Sequence, residues 1–560
     1  MSRYNILHGI SRRDFLRQAG AGALSLALPS PAGAETLYNG IQLGDPWPPR
    51  RRSFPSDPTL PPYLADPPAV IPIDVGRQLF VDDFLIEENL LERTYHQAEY
   101  YADNPVLRPT TKWERYDEYA ERTKTRSNPA AMVFSDGVFF DPADRLFKMW
   151  YMGGYSQNVC YAVSRDGFTW DKPDLGVVPG TNIALHVARD SSTIWLDPFE
   201  RDPSARFKMG LWHDFALALY RSRDGIHWTP DGQTGWAGDR STFFYNPFRR
   251  VWVFSIRDEI GVGLRNRRYW ETADFFRGAK WAKGQPVPWV STDRLDPRRP
   301  EYDVPTQLYN LDAVGYESLM LGMFTIFRGE RNVREKPNDL VLGYSRDGFH
   351  WHRPDRRPFI GVSEQIGDWN WANVQSAGGV CLIVGDRLHF YVSGRRGVPG
   401  TNDPGTCSTG LATLRRDGFA SLAEPDPAAP VRRIWPSGVA SVTTRPLRFS
   451  GGCLFVNADA REGSVQAEVL DVGGRVVGAF SAANCHAARG DGTRLGISWT
   501  GARLSELAGQ TVRFRFLVRK ARLYAFWVSA SASGASQGYV AAGGPAFPGP
   551  IDTQGGQNSV

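Results

Sequence analysis

Three features of the sequence predict an all-β protein built as a five-bladed β-propeller followed by a C-terminal β-sandwich. A box reading Ser-Arg-Asp-Gly, two further residues and Trp occurs three times, ending at Trp170, Trp228 and Trp351. A strand-turn-strand plan recurs five times, and 57 Gly and 40 Pro provide for many turns. Five such repeats over about 300 residues exceed one sandwich and fit the radial sheets of a propeller.

Each box is predicted to form a tight turn between two strands at the outer rim of a blade. Gly tolerates the positive φ that such turns require, and the preceding Asp accepts hydrogen bonds from nearby backbone amides. A short apolar run precedes each box, and its Trp is available to pack on the sheet. Asp166, Asp224 and Asp347 are therefore expected to hold turns and to take no part in chemistry.

The five repeats divide residues 73–422 into blades. Each repeat has an apolar strand, a charged turn and a second apolar strand, and the first three carry Asp-Pro or Asn-Pro before the turn. The alignment of the repeats predicts where each blade begins. The predicted positions are Asp136, Asp190, Asp239, Asp312 and Gln375.

The rest of the chain is predicted to form further regions. A Pro- and Ala-rich break at 423–433 precedes residues 434–530, where apolar and polar residues alternate with the period of strands in a small β-sandwich. Residues 35–72 are expected to form an extended N-terminal segment. Residues 531–560 are rich in Gly, Ser, Ala and Pro and are predicted to be a disordered tail.

Residues 1–34 are expected to be an export signal. Arg12 and Arg13 are followed by Phe15 and Leu16, a modest apolar stretch and a final Ala-Gly-Ala. This order resembles a bacterial twin-arginine signal peptide that is cleaved before Glu35. The alternative, a basic helix start, does not explain the order of these features. The protein is therefore expected in the periplasm or outside the cell.

Charge and composition argue against several functional classes. Loss of the signal lowers the formal net charge from +5 to +2, since four Arg and one Asp are removed, so binding to nucleic acid is not indicated. No segment is apolar for long enough to span a membrane. The five Cys lack the spacing of metal ligands or of a disulfide framework, and no dinucleotide or phosphate-binding motif occurs. No cofactor and no catalytic metal are predicted; a structural calcium ion and the oligomeric state are left open.

The boxes, the five repeats and the appended β domain resemble five-bladed glycoside hydrolases, namely families 32 and 43 and their secreted bacterial relatives. The stretch LFVDDFLIEENLLERTYHQAEYYADNPVL, residues 79–107, is similar to the start of the first blade in such secreted proteins. The resemblance implies a glycosidase that binds carbohydrate and cleaves glycosidic bonds, furanosidic ones included, in plant or microbial polysaccharide fragments.

Acids near the start of each innermost strand are the candidate catalytic residues, because propeller sites lie in the axial funnel. Glycoside hydrolysis needs one carboxylic acid as proton donor and one carboxylate as nucleophile or base. We expect Asp136, Asp190, Asp239 and Glu317 to face one funnel. Glu317 is the expected donor, because its apolar strand should raise its pKa. By the family resemblance, Asp136 is the expected nucleophile or base, and Asp190 or Asp239 tunes the donor. Strand capping or a surface salt bridge is the alternative role for each acid.

Aromatic and polar residues near the same strand starts are candidate sugar ligands. Trp rings stack on sugars, and Asn, Asp, His and Arg bond hydroxyl groups, while core packing is the alternative role for each Trp. The predicted substrate-binding residues are Asp312, Arg240, Trp212, His213, Trp369, Asn370, Trp371, Asn373 and Gln375.

Two other functions fit the same pattern. A secreted carbohydrate-binding propeller without catalysis would show an incomplete set of carboxylates in the funnel. A sialidase-like hydrolase would place three Arg around one pocket.

Overall fold

The computed structural model describes residues 35–116, 121, 127–260, 264–302, 304–329, 333–425 and 440–555. The expected signal segment, most of the Pro- and Ala-rich break and residues 556–560 lie outside this part of the chain. No helix in the described part is long and apolar enough to cross a membrane.

Short elements precede the blades. In chain order they are α1 (Pro62–Ala65), β1 (Ile71–Pro72), β2 (Gln78–Leu79), β3 (Ile86–Asn89), β4 (Glu92–Tyr95), β5 (Glu99–Tyr100) and α2 (Lys112–Arg115).

The predicted five-bladed propeller is confirmed, and its first three blades are four-stranded antiparallel sheets made of consecutive strands. Blade 1 contains β6 (Ala131–Asp141), β7 (Leu146–Gly153), β8 (Gln157–Ser164) and β9 (Ile183–Ala188). Blade 2 contains β10 (Ser192–Leu196), β11 (Phe207–His213), β12 (Ala216–Ser222) and β13 (Thr229–Gln233). Blade 3 contains β14 (Thr242–Asn246), β15 (Val251–Ile260), β16 (Leu264–Thr272) and β17 (Val287–Val290).

Blades 4 and 5 recruit strands from distant parts of the chain. Blade 4 contains β18 (Gln307–Glu317), β19 (Leu319–Phe327) and β20 (Asn338–Ser345). Blade 5 contains β21 (Asn373–Ser376), β22 (Leu382–Val384), β23 (Arg387–Arg395) and β24 (Cys407–Arg415). β5 pairs with β24, so the segment before blade 1 completes blade 5. β6 also contacts blade 5, which closes the ring.

A second β domain follows. Its strands are β25 (Ala420–Ala423), β26 (Ser441–Thr444), β27 (Leu447–Arg448), β28 (Cys453–Leu470), β29 (Cys485–His486), β30 (Ala488–Trp499), β31 (Arg513–Arg519) and β32 (Arg522–Ser529). Single-turn 3-10 helices occur at Pro203–Ala205, Ala482–Asn484 and Leu504–Leu507. β2, β3 and β4 pair with β32, β26 and β25. The propeller was predicted to begin at residue 73. It begins later, because β2, β3 and β4 pair with strands of the second domain. The β-sandwich layering of this domain stays a prediction.

The C-terminal segment predicted to be disordered is ordered through residue 555. Its strand β33 (Tyr539–Val540) pairs with the end of β18. The Ala542 oxygen accepts a hydrogen bond from the Phe140 amide, and the Ala542 amide donates one to the Cys381 oxygen. The low apolar content was misleading, because small residues let this segment approach other backbones closely. A Cβ on Gly544, for example, would collide with the carbonyl oxygen of Ile383.

The three boxes form the predicted turns. In each, the Ser Oγ accepts a hydrogen bond of 2.9 Å from the Gly amide, and the Asp Oδ1 accepts two from the amides two and three residues on. The Gly residues have φ of 79°, 78° and 83°. Neighbouring blades bind the turns: Tyr391, Trp150 and Trp289 donate to backbone oxygens of the first, second and third box. The boxes thus link adjacent blades.

Candidate active site

The funnel lies at the end of the propeller where the innermost strands begin and the second and third strands of each blade are joined. Each blade brings one residue close to a common point: Tyr155 after β7, Asp190 before β10, Asp239 before β14, Lys336 before β20 and Arg395 at the end of β23. The charge of Asp190 interacts with those of Asp239, Lys336 and Arg395, and it also acts on Tyr155. The convergence predicted for Asp190 and Asp239 is therefore present.

Asp190 has the environment of a proton donor. Part of its surface is exposed, and no residue in the described part of the chain donates a hydrogen bond to its carboxylate. Burial among the surrounding atoms raises the pKa of Asp190, and the charge of Asp239 raises it further. Arg240, Lys336 and Arg395 act in the opposite direction and are outweighed. Asp190 therefore keeps its proton at a pH where an ordinary Asp is ionised.

Asp239 is the second carboxylate at the mouth of the funnel and is held differently. It is half-buried, and the guanidinium of Arg257 in β15 binds its carboxylate. The two neighbouring acids thus differ in their contacts: Asp239 is paired with an Arg, whereas Asp190 receives no side-chain hydrogen bond from the described residues.

Arg240 follows Asp239 and points to the propeller axis. Its φ is 59°, and its guanidinium donates to Ser135 Oγ at 3.0 Å and to Asn310 Oδ1 at 3.1 Å. It also lies over the ring of Phe134, with Cζ 3.9 Å from the ring centroid. Burial lowers the pKa of Arg240. Because Arg240 is 1 % exposed, this predicted substrate-binding residue lies behind the surface of the funnel wall.

Asp136 occupies a buried position beneath the funnel and is not available as a nucleophile. Its carboxylate pairs with Arg189 at 2.9 Å and accepts a hydrogen bond from Ser192. The Nε of Arg189 in turn donates to the backbone oxygen of Asp190 at 2.9 Å. Burial raises the pKa of Asp136. Its position makes Asp136 the anchor of the segment that carries Asp190.

Asp312 lies on the floor of the funnel. Its Oδ2 accepts hydrogen bonds from Ser376 at 2.5 Å, Asn310 at 2.9 Å and Ser135 at 3.2 Å. Burial raises the pKa of Asp312. Because Asp312 is 2 % exposed, this predicted substrate ligand cross-links three blades and does not meet a sugar directly.

Glu317, the expected proton donor, lies at the opposite end of β18 and is not part of the funnel. It follows Asp312 by five residues, about 16 Å at the rise of a β-strand. Its carboxylate binds Arg416 at 2.8 Å and Ser536 at 2.7 Å, and accepts a hydrogen bond from the amide of Arg77 at 3.1 Å. Burial raises the pKa of Glu317, but the residue joins the propeller to the second domain and to the tail. The assignment of Glu317 as catalytic acid is wrong.

The predicted aromatic ligands also lie outside the funnel centre. Trp369 packs on blade 5, with its ring 5.8 Å from that of Tyr100, and the adjacent Asn370 is buried. Trp371 is 6 % exposed and lies beneath the guanidinium of Arg334. These aromatic residues complete the packing of blade 5, because the Gly residues of β23 and β24 leave room for the Trp369 ring.

Trp212 and His213 lie at the tip of blade 2. The Trp212 Nε1 donates to the oxygen of Ala237 at 3.0 Å, and the His213 side chain is 64 % exposed. Asn373 and Gln375 lie at the funnel end of β21 but are fully buried, so neither of these predicted ligands meets a sugar directly. Asn373 donates to the oxygen of Lys336 at 2.6 Å and accepts from Gln375 at 2.8 Å.

Several funnel residues were not predicted. Glu335 pairs with Arg395 at 2.9 Å and with Lys336 at 3.5 Å, and Tyr309 lies beside the same group. Glu335 and Lys336 belong to the charged connection between β19 and β20, and Arg395 ends β23. The signal that could have found them is topological: connections between second and third strands reach the funnel in every blade.

Neither the carboxylates nor the His residues of the described chain form a metal site. No group of three His, Cys, Asp or Glu side chains in this part could hold a metal ion.

Comparisons with known proteins give likenesses of structure. No family model and no curated protein matches the sequence. A thermostable family-43 glycoside hydrolase is 12% identical, with 56% of this chain and 98% of that chain covered and a TM-score of 0.38. A glycosyl hydrolase from Bacteroides ovatus is 13% identical, with 61% and 99% covered and a TM-score of 0.39. An N-acetylgalactosamine deacetylase from F. plautii is 15% identical, with 56% and 97% covered and a TM-score of 0.37. These likenesses are of the fold.

Proposed function

We propose that this protein is a glycoside hydrolase whose active site is the axial funnel. The observation that carries the proposal is the pair Asp190 and Asp239. Asp190, which receives no side-chain hydrogen bond from the described residues and has a raised pKa, stands beside a second carboxylate, Asp239, that is paired with Arg257. Glycoside cleavage requires this division of roles.

In this reaction Asp190 donates its proton to the glycosidic oxygen as the bond to the anomeric carbon breaks. The positive charge that develops on the sugar is then opposite the carboxylate of Asp239, which attacks the anomeric carbon or takes a proton from the attacking water. Arg257 keeps Asp239 in position before the sugar arrives. Asp136 and Arg189 position the backbone of Asp190 and touch no substrate.

A screen of aryl furanosides and pyranosides against the purified mature protein tests the proposal. We expect hydrolysis of at least one substrate and a loss of about 10²–10⁴ in kcat for Asp239→Asn. Asp355→Asn is the matched control, because Asp355 also pairs with an Arg, Arg357, but lies outside the funnel. Sugar binding without turnover would instead identify a carbohydrate-binding propeller. An equal loss in both variants would remove Asp239 from the site.

We also propose export by the twin-arginine route to the periplasm or beyond, supported by the Arg12-Arg13 signal pattern. Replacing both residues with Lys should retain the precursor in the cytoplasm. Secretion of the double variant at the normal level would contradict the proposal.

A further inference from the structure

We propose that the funnel takes a sugar with an anionic substituent, a carboxylate or a sulfate ester, which a cluster of cations around Tyr309 binds. This inference rests on the proposed function for its location. It names the substrate class that the same site would accept.

Three cations surround the Tyr309 ring, which lies near the start of β18. The distances from the ring centroid are 5.3 Å to Arg265 Cζ, 5.8 Å to Arg240 Cζ and 6.0 Å to Lys336 Nζ. The three side chains come from blades 3 and 4. Arg265 and Lys336 keep part of their surface exposed, so a ligand can reach them.

The charges of this cluster are incompletely neutralised. Arg240 and Arg265 bind only neutral groups, such as Asn310 and Gln307, and neither has a carboxylate partner among the residues that the structure describes. The Nζ of Lys336 lies 3.5 Å from Glu335 Oε1, but the same oxygen also pairs with Arg395 Nη1 at 2.9 Å. Among the described residues, Glu335 is therefore the one carboxylate within ion-pair distance of Arg240, Arg265, Lys336 or Arg395, while the charges of Asp190 and Asp312 act on Arg240 from farther away.

A further cation behind the cluster increases the imbalance. Arg267 is fully buried; its Nη1 donates to the oxygen of Arg240 at 2.7 Å, and its Nε and Nη2 have no partner in the described chain. Burial and the charges of Arg240 and Arg257 lower the pKa of Arg267. Elsewhere, buried cations pair with carboxylates: the Nη2 of Arg346, for example, lies 2.8 Å from Asp82 Oδ1. An excess of positive charge is thus localised on one side of the funnel.

A polyhydroxylated neutral sugar would leave this excess uncompensated. A carboxylate or sulfate between Arg265 and Lys336 would form charge-assisted hydrogen bonds in a partly desolvated site, where such bonds are strong. The funnel would also attract an anionic ligand before contact, because walls of low dielectric focus the field. The charge pattern therefore favours acidic glycan fragments over neutral ones.

Calorimetry on the Asp190→Asn protein tests the inference without turnover. The probes are trigalacturonate, its methyl ester and a sulfated galactotriose. We expect at least one anionic probe to bind about tenfold or more tightly than the ester, and Arg265→Gln to weaken that binding about 10- to 100-fold. The affinity should also fall as NaCl is raised. Lys336→Gln gives a second test should Arg265→Gln fail to fold.

Arg223→Gln is the matched control, since Arg223 is exposed in the second box and far from the funnel entrance; it should leave the affinity unchanged. The probe whose affinity falls in Arg265→Gln shows whether the cluster recognises a carboxylate or a sulfate ester. Equal affinity for acid and ester, or no effect of either cluster variant, would overturn the inference. Binding of an anionic probe without hydrolysis by the wild type would reject the hydrolase and keep this inference. Hydrolysis of neutral substrates alone would keep the hydrolase proposal and reject the inference of an anionic substrate.

Discussion

Lys336 and Asp190 show how single residues set the working pH of the funnel. Burial and Asp239 raise the pKa of Asp190, while Lys336 is one of three cations that lower it. As a proton donor, Asp190 supports activity only while protonated, so activity should be lost as the pH rises through its pKa.

Removing a positive charge near Asp190 should move that pH limit upward. Lys336→Met takes away a charge that favours ionised Asp190, so the basic limb of kcat/KM against pH should shift to higher pH. Lys280→Met, at an exposed position outside the funnel, should leave the limb in place. If the basic limb of Lys336→Met moved to lower pH or did not move, the limb would not reflect the titration of Asp190.

At the scale of elements, each box is a turn that one Asp holds. Asp347 is 5 % exposed, and its carboxylate accepts from the amides of Phe349 and His350 and from His350 Nδ1. Asp347→Ala leaves these amides without a partner, so it should lower the free energy of unfolding by about 1–3 kcal/mol. Chemical denaturation measures this loss. As a control, Asp231→Ala on exposed β13 should lower the free energy of unfolding by less than about 0.5 kcal/mol. Equal losses of stability in the two variants would contradict the role of Asp347 in holding the turn.

The corresponding Asp224 of the second box gives a pH dependence. Burial acts to raise its pKa, but hydrogen bonds from His227 and Ile226 outweigh it and lower the pKa to about 2. Because the folded pKa is depressed, the contribution of Asp224 to stability is present above the unfolded value and is lost as the pH falls toward 2.

The sequence predicted these turns because their chemistry is local, whereas the placement of the acids depends on long-range register. In β6, Met132 pairs with Met152 but Gly137 with Trp150, so four residues bulge opposite one and carry Asp136 inward. β18 has 11 residues against 5 in β10, which takes Glu317 past the funnel. Neither the bulge nor the strand length can be read from the alignment of the sequence repeats. Asp190 and Asp239 lie two and three residues before the short strands β10 and β14, so the repeat alignment could bring them together.

At the scale of the whole molecule, both chain ends tie the propeller to the second domain. Arg77 donates to Asp417 at 2.8 Å, and Arg416 binds Glu317 at 2.8 Å and Asp552 at 3.4 Å. Arg77 and Arg416 outweigh burial and lower the pKa of Asp417. This buried network explains why an apolar strand ends in Glu317, which the sequence alone made look catalytic.

Truncation after residue 530 should destabilise the protein. It removes β33, Ser536 and Asp552, and leaves the buried charges of Glu317 and Arg416 less well bound, which costs several kcal/mol for groups of this kind. The melting temperature, followed by circular dichroism, should fall by several degrees. Truncation after residue 555 is the control and should leave it unchanged. An unaltered melting temperature for the longer truncation would contradict the role of the tail.

The most direct test of the funnel as a glycosidase site is the dependence of Asp190→Asn on the leaving group. A dinitrophenolate leaves without a proton, whereas a methoxide or sugar oxygen needs one. We predict that the variant loses about 10²–10⁴ in kcat/KM on a methyl glycoside or oligosaccharide but far less on the dinitrophenyl glycoside of the same sugar. Equal loss on both substrates, or no loss on either, would contradict the assignment of Asp190 as the proton donor.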